Sequence, residues 1–561
     1  MSNETLYYLG ASTVAEPLVN KWVAWSHILP PLPSSQHLQH YQIKILQNYL
    51  KDPRVHVKAC QDPKLRSGRF VDVPEERAGE IAQLLADTKD SQRDKLQFAN
   101  SFVEFYTALV REAEGQSLET YYDQLPPNLR GYVELNYDYY HRPMVRLLEN
   151  LLYESPYYDD RLQSLRLFQE KRDDSRPFFM STPRLPQEQE IEWTVPFASP
   201  KVDEFFELED TPQPLSYIRK LLGLEVSADA RLLPLLSTVR TKPADKWEGA
   251  GVRIRYLGHA CVLIEWKGVT ILTDPCVAVM PVEGGVDRVT YWELPEKIDY
   301  VLVTHGHHDH FFIETLLRLR RKIGCLVVPR SYGVLSGDIS LKLLGQKLGF
   351  KNAVELDTLE SIGIPEGAII AIPFLGEHAD LLHGKTAYVV RAGNEQMLFA
   401  ADSDCLDEGV YENVCRAIGP IQTVFIGMEC VGAPLSWSCG AFFPVQPAFH
   451  HEQTRRYKGC DAERAHRILE AVGAERTFVY AMGLEPWLEY LLGLALADDS
   501  PQIIESGKYL AKAREKGFAE AELLFGRAEI ILEHDSAENY AFQAIEPRGV
   551  AAGHEDQFVF D

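Results

Sequence analysis

One string of metal-binding residue types constrains this chain more than any other feature of its sequence. It follows an apolar run that predicts a strand, and it reads His305-Gly306-His307-His308-Asp309-His310. Because His305 and His307 alternate by two, both can face one metal ion, while Asp309 and His310 can face a second. Imidazole and carboxylate ligands together suit zinc, iron or manganese. The string therefore predicts a dinuclear metal site between a strand end and a helix start.

The sequence around this string predicts a layered α/β domain. Strands are predicted at Val252–Leu257, Cys261–Glu265, Val269–Thr273, Tyr300–Thr304, Cys325–Val328, Ala368–Ile372, Thr386–Arg391, Met397–Ala401 and Thr423–Ile426. Helices are predicted at Phe311–Arg321, Leu335–Leu344, Leu406–Ala417 and Ala462–Val472, the last closed by Gly473. Two strand-rich halves with interleaved helices are typical of two sheets packed face to face with helices outside, an αββα sandwich.

The chain before this sandwich is predicted to be a mostly helical α+β domain over residues 1–245. Apolar residues from Phe98 to Leu109 recur at helical spacing, and Tyr132–Tyr153 also has a helical period. Prolines clustered between residues 180 and 215 predict an extended connector. We interpret this domain as one that docks a substrate or partner, or that forms a dimer.

We assign residues 246–500 to the metal domain and residues 501–561 to a C-terminal helical extension. Ser500 and Pro501 predict the start of a helix, because serine caps helices and proline fits the first helical position.

Charge and cysteine usage exclude several classes of protein. The formal net charge of −24 argues against nucleic acid and anionic membranes as ligands, since both need a basic surface. No apolar run is long enough to span a bilayer, and the first residues show no targeting signal. The nine cysteines include no CxxC pair, which predicts reduced thiols and a cytoplasmic location.

The metal-binding string resembles the HxHxDH signature of the metallo-β-lactamase superfamily. This resemblance implies that Asp274, which follows a predicted strand, holds a ligand histidine through a hydrogen bond. It also implies that Asp402 bridges the two metal ions, with Asp404 as the alternative.

The sequence departs from the hydrolases of that superfamily at two positions. Where they place a single metal-binding histidine, this chain has Glu377 followed by His378. Near their end the hydrolases usually carry another histidine after a strand, but the matching run from Thr477 to Gly483 has none. His450 is our candidate for the missing ligand, with His451 and His378 left open.

At these positions the sequence resembles the di-iron β-hydroxylases of nonribosomal peptide pathways. The resemblance implies two iron ions (Fe²⁺/Fe³⁺), O₂ as co-substrate and an external electron donor. It implies that Glu377 and Asp402 are the catalytic carboxylates and that the metal ligands are His305, His307, Asp309, His310, Glu377 and Asp402, to which we add His450 as our candidate for the missing histidine. The implied substrate is an amino acid held as a thioester on a carrier domain of a nonribosomal peptide synthetase, and a homodimer is left open.

Two other functions remain open at this stage. A dizinc hydrolase of the lactonase or phosphodiesterase type would use the same ligands to activate water. In a docking protein with a vestigial metal site, these residues would not have to bind metal. One basic cluster could contact a carrier domain or be a solvated helix face; it consists of Arg318, Arg320, Arg321 and Lys322.

Overall fold

The computed structural model describes residues 4–241, 246–333, 338–376, 384–433, 436–454, 459–493 and 496–532. Strands of the N-terminal half are β1 (Leu6–Leu9), β2 (Thr13–Val19), β3 (Trp22–Val23), β4 (Val133–Tyr137), β5 (Pro143–Leu147), β6 (Gln163–Gln169), β7 (Ile191–Thr194), β8 (Gln213–Pro214) and β9 (Leu236–Ser237). Its α-helices are α1 (Pro31–His37), α2 (Ile43–Tyr49), α3 (Pro53–Cys60), α4 (Ala78–Ser91), α5 (Arg93–Glu112), α6 (Glu119–Asp123), α7 (Glu149–Tyr153), α8 (Pro200–Glu207), α9 (Leu215–Leu222) and α10 (Asp229–Leu232). This half is α+β, as predicted.

The metal domain follows from residue 252. Its strands are β10 (Val252–Gly258), β11 (Cys261–Trp266), β12 (Val269–Thr273), β13 (Ile298–Leu302), β14 (Ile323–Pro329), β15 (Ala353–Leu356), β16 (Ser361–Ile364), β17 (Gly367–Ile372), β18 (Ala387–Ala392), β19 (Glu395–Phe399), β20 (Thr423–Gly427) and β21 (Arg476–Tyr480). Its α-helices are α11 (Ile313–Leu319), α12 (Leu341–Lys347), α13 (Glu408–Ile418), α14 (Ser436–Cys439), α15 (Phe449–Thr454), α16 (Ala462–Val472) and α17 (Glu489–Leu492). The predicted strands are confirmed, with ends shifted by one or two residues.

The C-terminal region contains α18 (Pro501–Glu515), β22 (Glu520–Leu523) and β23 (Ala528–Leu532). The helix was predicted, but the two strands were not, so the description of this region as a helical extension needs correction. The strand β22 joins the edge of one sheet beside β21, and β23 joins the other beside β10. Both strands are short, with four and five residues, so their apolar pattern is too brief to identify a strand in sequence.

Two sheets of seven strands each form the centre of the metal domain. The described strands lie in the orders β15-β14-β13-β12-β11-β10-β23 and β16-β17-β18-β19-β20-β21-β22. Apolar residues from both sheets, such as Ile264 and Val390, make one core between them. The outer face of the second sheet packs on α13, α16 and α18. On the outer face of the first sheet, α11 and α12 share a core with the N-terminal half. The αββα sandwich is therefore confirmed.

Two predictions for the N-terminal half were wrong in detail. The stretch Tyr132–Tyr153 forms the hairpin β4–β5 and the short helix α7, because the Asp138 side chain accepts hydrogen bonds from the backbone amides of Tyr140 and Arg142 and closes a turn. The proline-rich connector contains the helix α8, since Pro200 occupies the first helical turn after the Ser199 cap.

The helix α11 is buried on all sides. The basic cluster that begins on it does not face solvent: Arg318 is 2% exposed, and its guanidinium binds Glu209 and the backbone oxygen of Thr13. Arg320 binds Asp203 in the same way. The acidic partners come from the N-terminal half, so this cluster joins the two halves and is not a docking surface. Within the described residues, no helix has the length and apolar content to cross a membrane.

Candidate metal centre

The metal-binding string forms the loop between β13 and α11. The strand β13 is flanked by the parallel strands β12 and β14, so their carboxyl ends lie at one edge of the sheet. His305 and His310 are fully buried there, and His307 and Asp309 are nearly so. The imidazole ring centroids of His305 and His307 lie 4.6 Å apart, and those of His305 and His310 lie 4.2 Å apart.

Asp274 fixes this loop from the end of β12. Its carboxylate accepts hydrogen bonds from the amide of Thr304 at 2.7 Å and from the Thr304 hydroxyl at 2.8 Å. It also contacts Nδ1 of His310 at 2.9 Å. Because Nδ1 of His310 is occupied, its Nε2 is left to face the site, which is how a carboxylate orients a metal-binding histidine. The geometry supports the role predicted for Asp274.

A first group of potential ligands consists of His305, His310 and Asp402, whose ligand atoms lie within 4.8 Å of one another. Asp402 follows β19 on the second sheet, and its Oδ2 lies 3.0 Å from His310 Nε2 and 3.6 Å from His305 Nε2. The alternative, Asp404, instead accepts a hydrogen bond from Cys460 Sγ at 3.2 Å and pairs with Arg464. The structure thus brings Asp402, and not Asp404, to the histidines.

A second group includes a residue that our sequence analysis missed. His259, Asp309 and His310 also offer ligand atoms within 4.8 Å of one another. His259 lies in the turn between β10 and β11, and its Nε2 is 3.0 Å from Asp309 Oδ2. The turn is formed by Gly258 and His259, both with positive φ. In the sequence only a Gly-His pair between two predicted strands marks this position, and the strain of the turn becomes visible only in the structure.

Four predicted or alternative ligand positions lie elsewhere or outside the described residues. Glu377 and the alternative His378 are outside them. His450 and His451 lie on the short helix α15, exposed, with their rings 4.0 Å apart. The structure does not bring either of them into the two ligand groups, since α15 belongs to the surface segment after β20.

The electrostatics of the site favour positive charge at its centre. Burial disfavours a charged His310, but Asp402, Asp309 and Asp274 outweigh burial and raise the pKa of its imidazole well above the ordinary range. Burial also opposes ionisation of Asp309, yet His310 and His308 hold the pKa of its carboxyl well below the ordinary range. A cation is therefore stabilised where these groups converge.

The residues present fit two metal ions. Nε2 of His310 and Oδ1 of Asp309 are buried and make no hydrogen bond among the described residues. Such buried polar atoms are costly unless a partner compensates them. A metal ion bound to imidazole nitrogen and carboxylate oxygen would provide that partner, and these ligand types suit iron.

A cavity of about 140 Å³ opens onto this centre. Its floor includes His307, Asp309 and Asp402. Its walls include Ser67 from the N-terminal half and Leu492 from the metal domain. The N-terminal half therefore contributes directly to the space beside the metal ligands.

The two sheets, the ligand loop and the buried ligand groups define a metallo-β-lactamase-fold protein with a dinuclear metal centre. Residues 253–390 match the family described as a β-lactamase superfamily domain. Residues 8–240 match the family described as a diiron non-heme β-hydroxylase N-terminal domain.

The relatives extend this similarity over nearly the whole chain. A Streptomyces venezuelae enzyme named as a 3-hydroxylase of 4-amino-L-phenylalanyl-CmlP peptidyl carrier protein is 32% identical over 520 residues, covering 91% of this chain and 97% of that protein. The crystal structure of CmlA, a diiron β-hydroxylase from the same organism, matches with a TM-score of 0.87 and 32% identity, covering 94% of this chain and 100% of that one. A mutant of that hydroxylase matches with a TM-score of 0.86 and 31% identity, with the same coverage. The chain belongs to the diiron β-hydroxylase family, and this membership favours the hydroxylase over the hydrolase.

Proposed function

We propose that this chain is an O₂-dependent monooxygenase that hydroxylates the β-carbon of an amino acid held as a thioester on a nonribosomal peptide synthetase carrier domain. The Streptomyces venezuelae relative is named for an aminoacyl group attached to a peptidyl carrier protein, and the similarity covers both halves of the chain. The observation that carries the proposal is the buried group of His305, His310 and Asp402, because it offers iron ligands beside a cavity that Asp402 lines.

The described residues hold a preorganised site. Asp274 fixes the ring of His310, and Asp402 lies between His305 and His310, a position suited to bridging two metal ions. When bound, the two irons supply the redox chemistry that activates O₂, with electrons from an external donor. Because the ligands are already oriented, binding does not require them to reorganise.

Glu377 is proposed as a further carboxylate ligand on the His305 side. The residue before it, Gly376, accepts a hydrogen bond from Lys385 Nζ at 2.8 Å. Lys385 in turn pairs with His305 through an isolated β-bridge. The backbone that leads to Glu377 is thereby tethered to the ligand loop, which supports the proposal. A carboxylate in place of a histidine favours the oxidised state of iron by adding negative charge to the site.

The cavity walls indicate how the substrate is oriented. Trp437, Met482 and Leu492 give an apolar wall, and Asp309 and Asp402 give an anionic floor. An aminoacyl group in this cavity would bury its side chain against the wall and displace water from the floor. The β-carbon, which is the first atom of that side chain, would then lie beside the metal ligands.

The partner that we propose is the carrier domain itself, in the cytoplasm, and a homodimer of the chain is left open. The test is mass spectrometry of a panel of aminoacyl carrier proteins after incubation with reduced enzyme and air. We expect a gain of one oxygen atom on one carrier-bound amino acid, and about two irons per chain. Asp309→Ala serves as the variant with a disrupted metal site. Equal turnover of the free amino acid, or activity restored by zinc alone, would contradict the proposal.

A further inference from the structure

The strand β21 ends where the hydrolases of this fold usually carry a metal-binding histidine. In this chain β21 is followed by Ala481 and Met482, so no imidazole is available there. Met482 is buried and lines the cavity beside the metal ligands. The group around Asp309 and His310 therefore lacks a nitrogen ligand from this strand.

His259 lies beside that position and comes from the opposite sheet. Its backbone oxygen accepts a hydrogen bond from the amide of Ala481 at 2.9 Å, so the turn between β10 and β11 is joined to the end of β21. His259 and Met482 therefore line the same cavity, one from each sheet.

The backbone of this turn is held in an uncommon conformation. His259 has φ of 51°, a value that costs a non-glycine residue on the order of 1 kcal/mol. The preceding Gly258 has φ of 115°, and a Cβ there would lie 2.9 Å from the Trp487 ring. The surrounding structure therefore imposes the turn. Its result is that the His259 ring points at Asp309 and His310.

We propose that His259 is a protein ligand of the second metal ion, together with Asp309 and His310, in place of the histidine that β21 lacks. His259 is 3% exposed, and neither of its ring nitrogens makes a hydrogen bond of ordinary geometry among the described residues. Its Nε2 lies 3.0 Å from Asp309 Oδ2, and its ring centroid is 5.0 Å from that of His310. A metal ion between these groups would satisfy all of them.

This inference rests on the dinuclear site of the proposed function, but it can be tested without turnover. His259→Ala should retain about one metal ion per chain and bind the second at least ~10-fold more weakly than the wild type. The measurements are metal content after dialysis and the absorption spectrum of the cobalt(II)-loaded protein. Added imidazole should restore the second cobalt signal by filling the vacated space.

Two further variants separate a ligand from a residue that only orients Asp309. His259→Gln can still donate a hydrogen bond to Asp309 but is a poor metal ligand, so it should behave like His259→Ala. The double variant H259A/M482H should regain the second metal ion, because it moves the imidazole to the end of β21. His466→Ala is the control, since His466 is equally buried but bonds the backbone oxygen of Tyr509, away from the site. It should bind both metals normally.

The inference is overturned if His259→Gln binds two metal ions with wild-type affinity and spectrum, since a hydrogen bond to Asp309 would then explain the geometry. It is also overturned if His259→Ala folds with both metals bound. If instead the metal results hold but no carrier-bound amino acid is hydroxylated, the proposed function fails while the ligand assignment stands.

Discussion

The N-terminal half meets the metal domain in several places, and two of them differ clearly in burial. We call the first the ligand-loop interface; it consists of residues 25–28 and 176–180 against residues 305–319. In this interface Ser26 donates a hydrogen bond to the backbone oxygen of Gly306, inside the metal-binding string.

The ligand-loop interface also contains aromatic and ionic contacts. The ring centroids of Phe179 and His308 lie 4.3 Å apart. Nε2 of His308 in turn contacts the backbone oxygen of Leu491 at 2.9 Å. Arg176 binds Glu314, on the helix that follows the string, at 2.8 Å. The metal ligands are therefore enclosed between the sheet and the N-terminal half.

We call the second place the hairpin interface; it consists of residues 133–153 against residues 330–333 and 338–347. A groove of about 1130 Å³ separates much of the two surfaces. Two hydrogen bonds make direct contact across it. The amide of Leu147 donates to the backbone oxygen of Gly333 at 3.0 Å, and the amide of Ser340 donates to the Glu149 carboxylate at 2.9 Å.

This difference shows that the N-terminal half is not only a docking module. At the ligand-loop interface it supports the backbone that positions the metal ligands, and at the hairpin interface it leaves an open surface. The prediction that this half serves a substrate or partner stays untested, but the structure adds a supporting role at the metal centre.

The largest effect is expected from Arg176→Met, which breaks the ligand-loop interface. Arg176 is buried among Glu170, Glu314 and the hydroxyl of Tyr490, at 2.6 to 2.8 Å. Removing it leaves two buried carboxylates without a cation, so the free energy of unfolding should fall by about 3–5 kcal/mol. Urea denaturation followed by circular dichroism measures this change.

The matched control for this variant is Arg146→Met in the hairpin interface. Arg146 pairs with Glu134 at 3.0 Å, but both side chains are largely exposed. Exposed ion pairs contribute little, so stability should change by less than about 0.5 kcal/mol. Similar losses for the two variants would show that the two interfaces do not differ as described.

A smaller effect of opposite sign is expected at the hairpin interface from Glu149→Gln. Burial raises the pKa of the Glu149 carboxyl from its ordinary 4.5 to about 7. Between these pH values the folded protein keeps a proton that the unfolded chain releases, so wild-type stability falls as the pH rises. The glutamine variant has no carboxyl group at this position, so its stability does not depend on this proton. It should be more stable than the wild type by about 2 kcal/mol at pH 8 and equal to it near pH 4.

Thermal unfolding of both proteins across this pH range measures the difference. A constant difference between the two proteins at all pH values would contradict the assignment of the shift to Glu149. Because Ser340 still has an oxygen to bind in the variant, loss of that hydrogen bond does not complicate the comparison.

The metal site could be predicted from sequence where its ligands lie close together along the chain. The string from His305 to His310 places four ligand residues within six positions, and the apolar runs before and after it give the strand and the helix that hold them. Asp274 and Asp402 were assigned through the resemblance to the superfamily, and each follows a predicted strand. A strand end is a fixed point in the fold, so a residue there can be placed without knowing the tertiary structure.

The parts that could not be predicted depend on contacts between distant residues. His259 faces Asp309 only because β10, β11 and β21 meet at one corner. Arg318 is buried only because Glu209, far away in sequence, packs against it. Neither contact leaves a periodic signal, since the partners lie on different elements. The exposure of His450 likewise depends on where α15 lies on the surface.

The smallest change in stability, but the most direct effect on the ligand loop, is expected from Ser26→Ala. Ser26 is fully buried, and its hydroxyl is the donor to the backbone oxygen of Gly306. Without it that oxygen stays buried and unsatisfied, which should cost about 1 kcal/mol. Because Gly306 lies between His305 and His307, the loss should also loosen the site and weaken iron binding. Ser35→Ala is the control: Ser35 is equally buried but bonds the backbone oxygen of Pro31, away from the loop. Both variants should lose similar stability, yet only Ser26→Ala should release iron faster to a chelator, followed by absorbance. Equal release rates would mean that this hydrogen bond stabilises the fold without positioning the metal ligands.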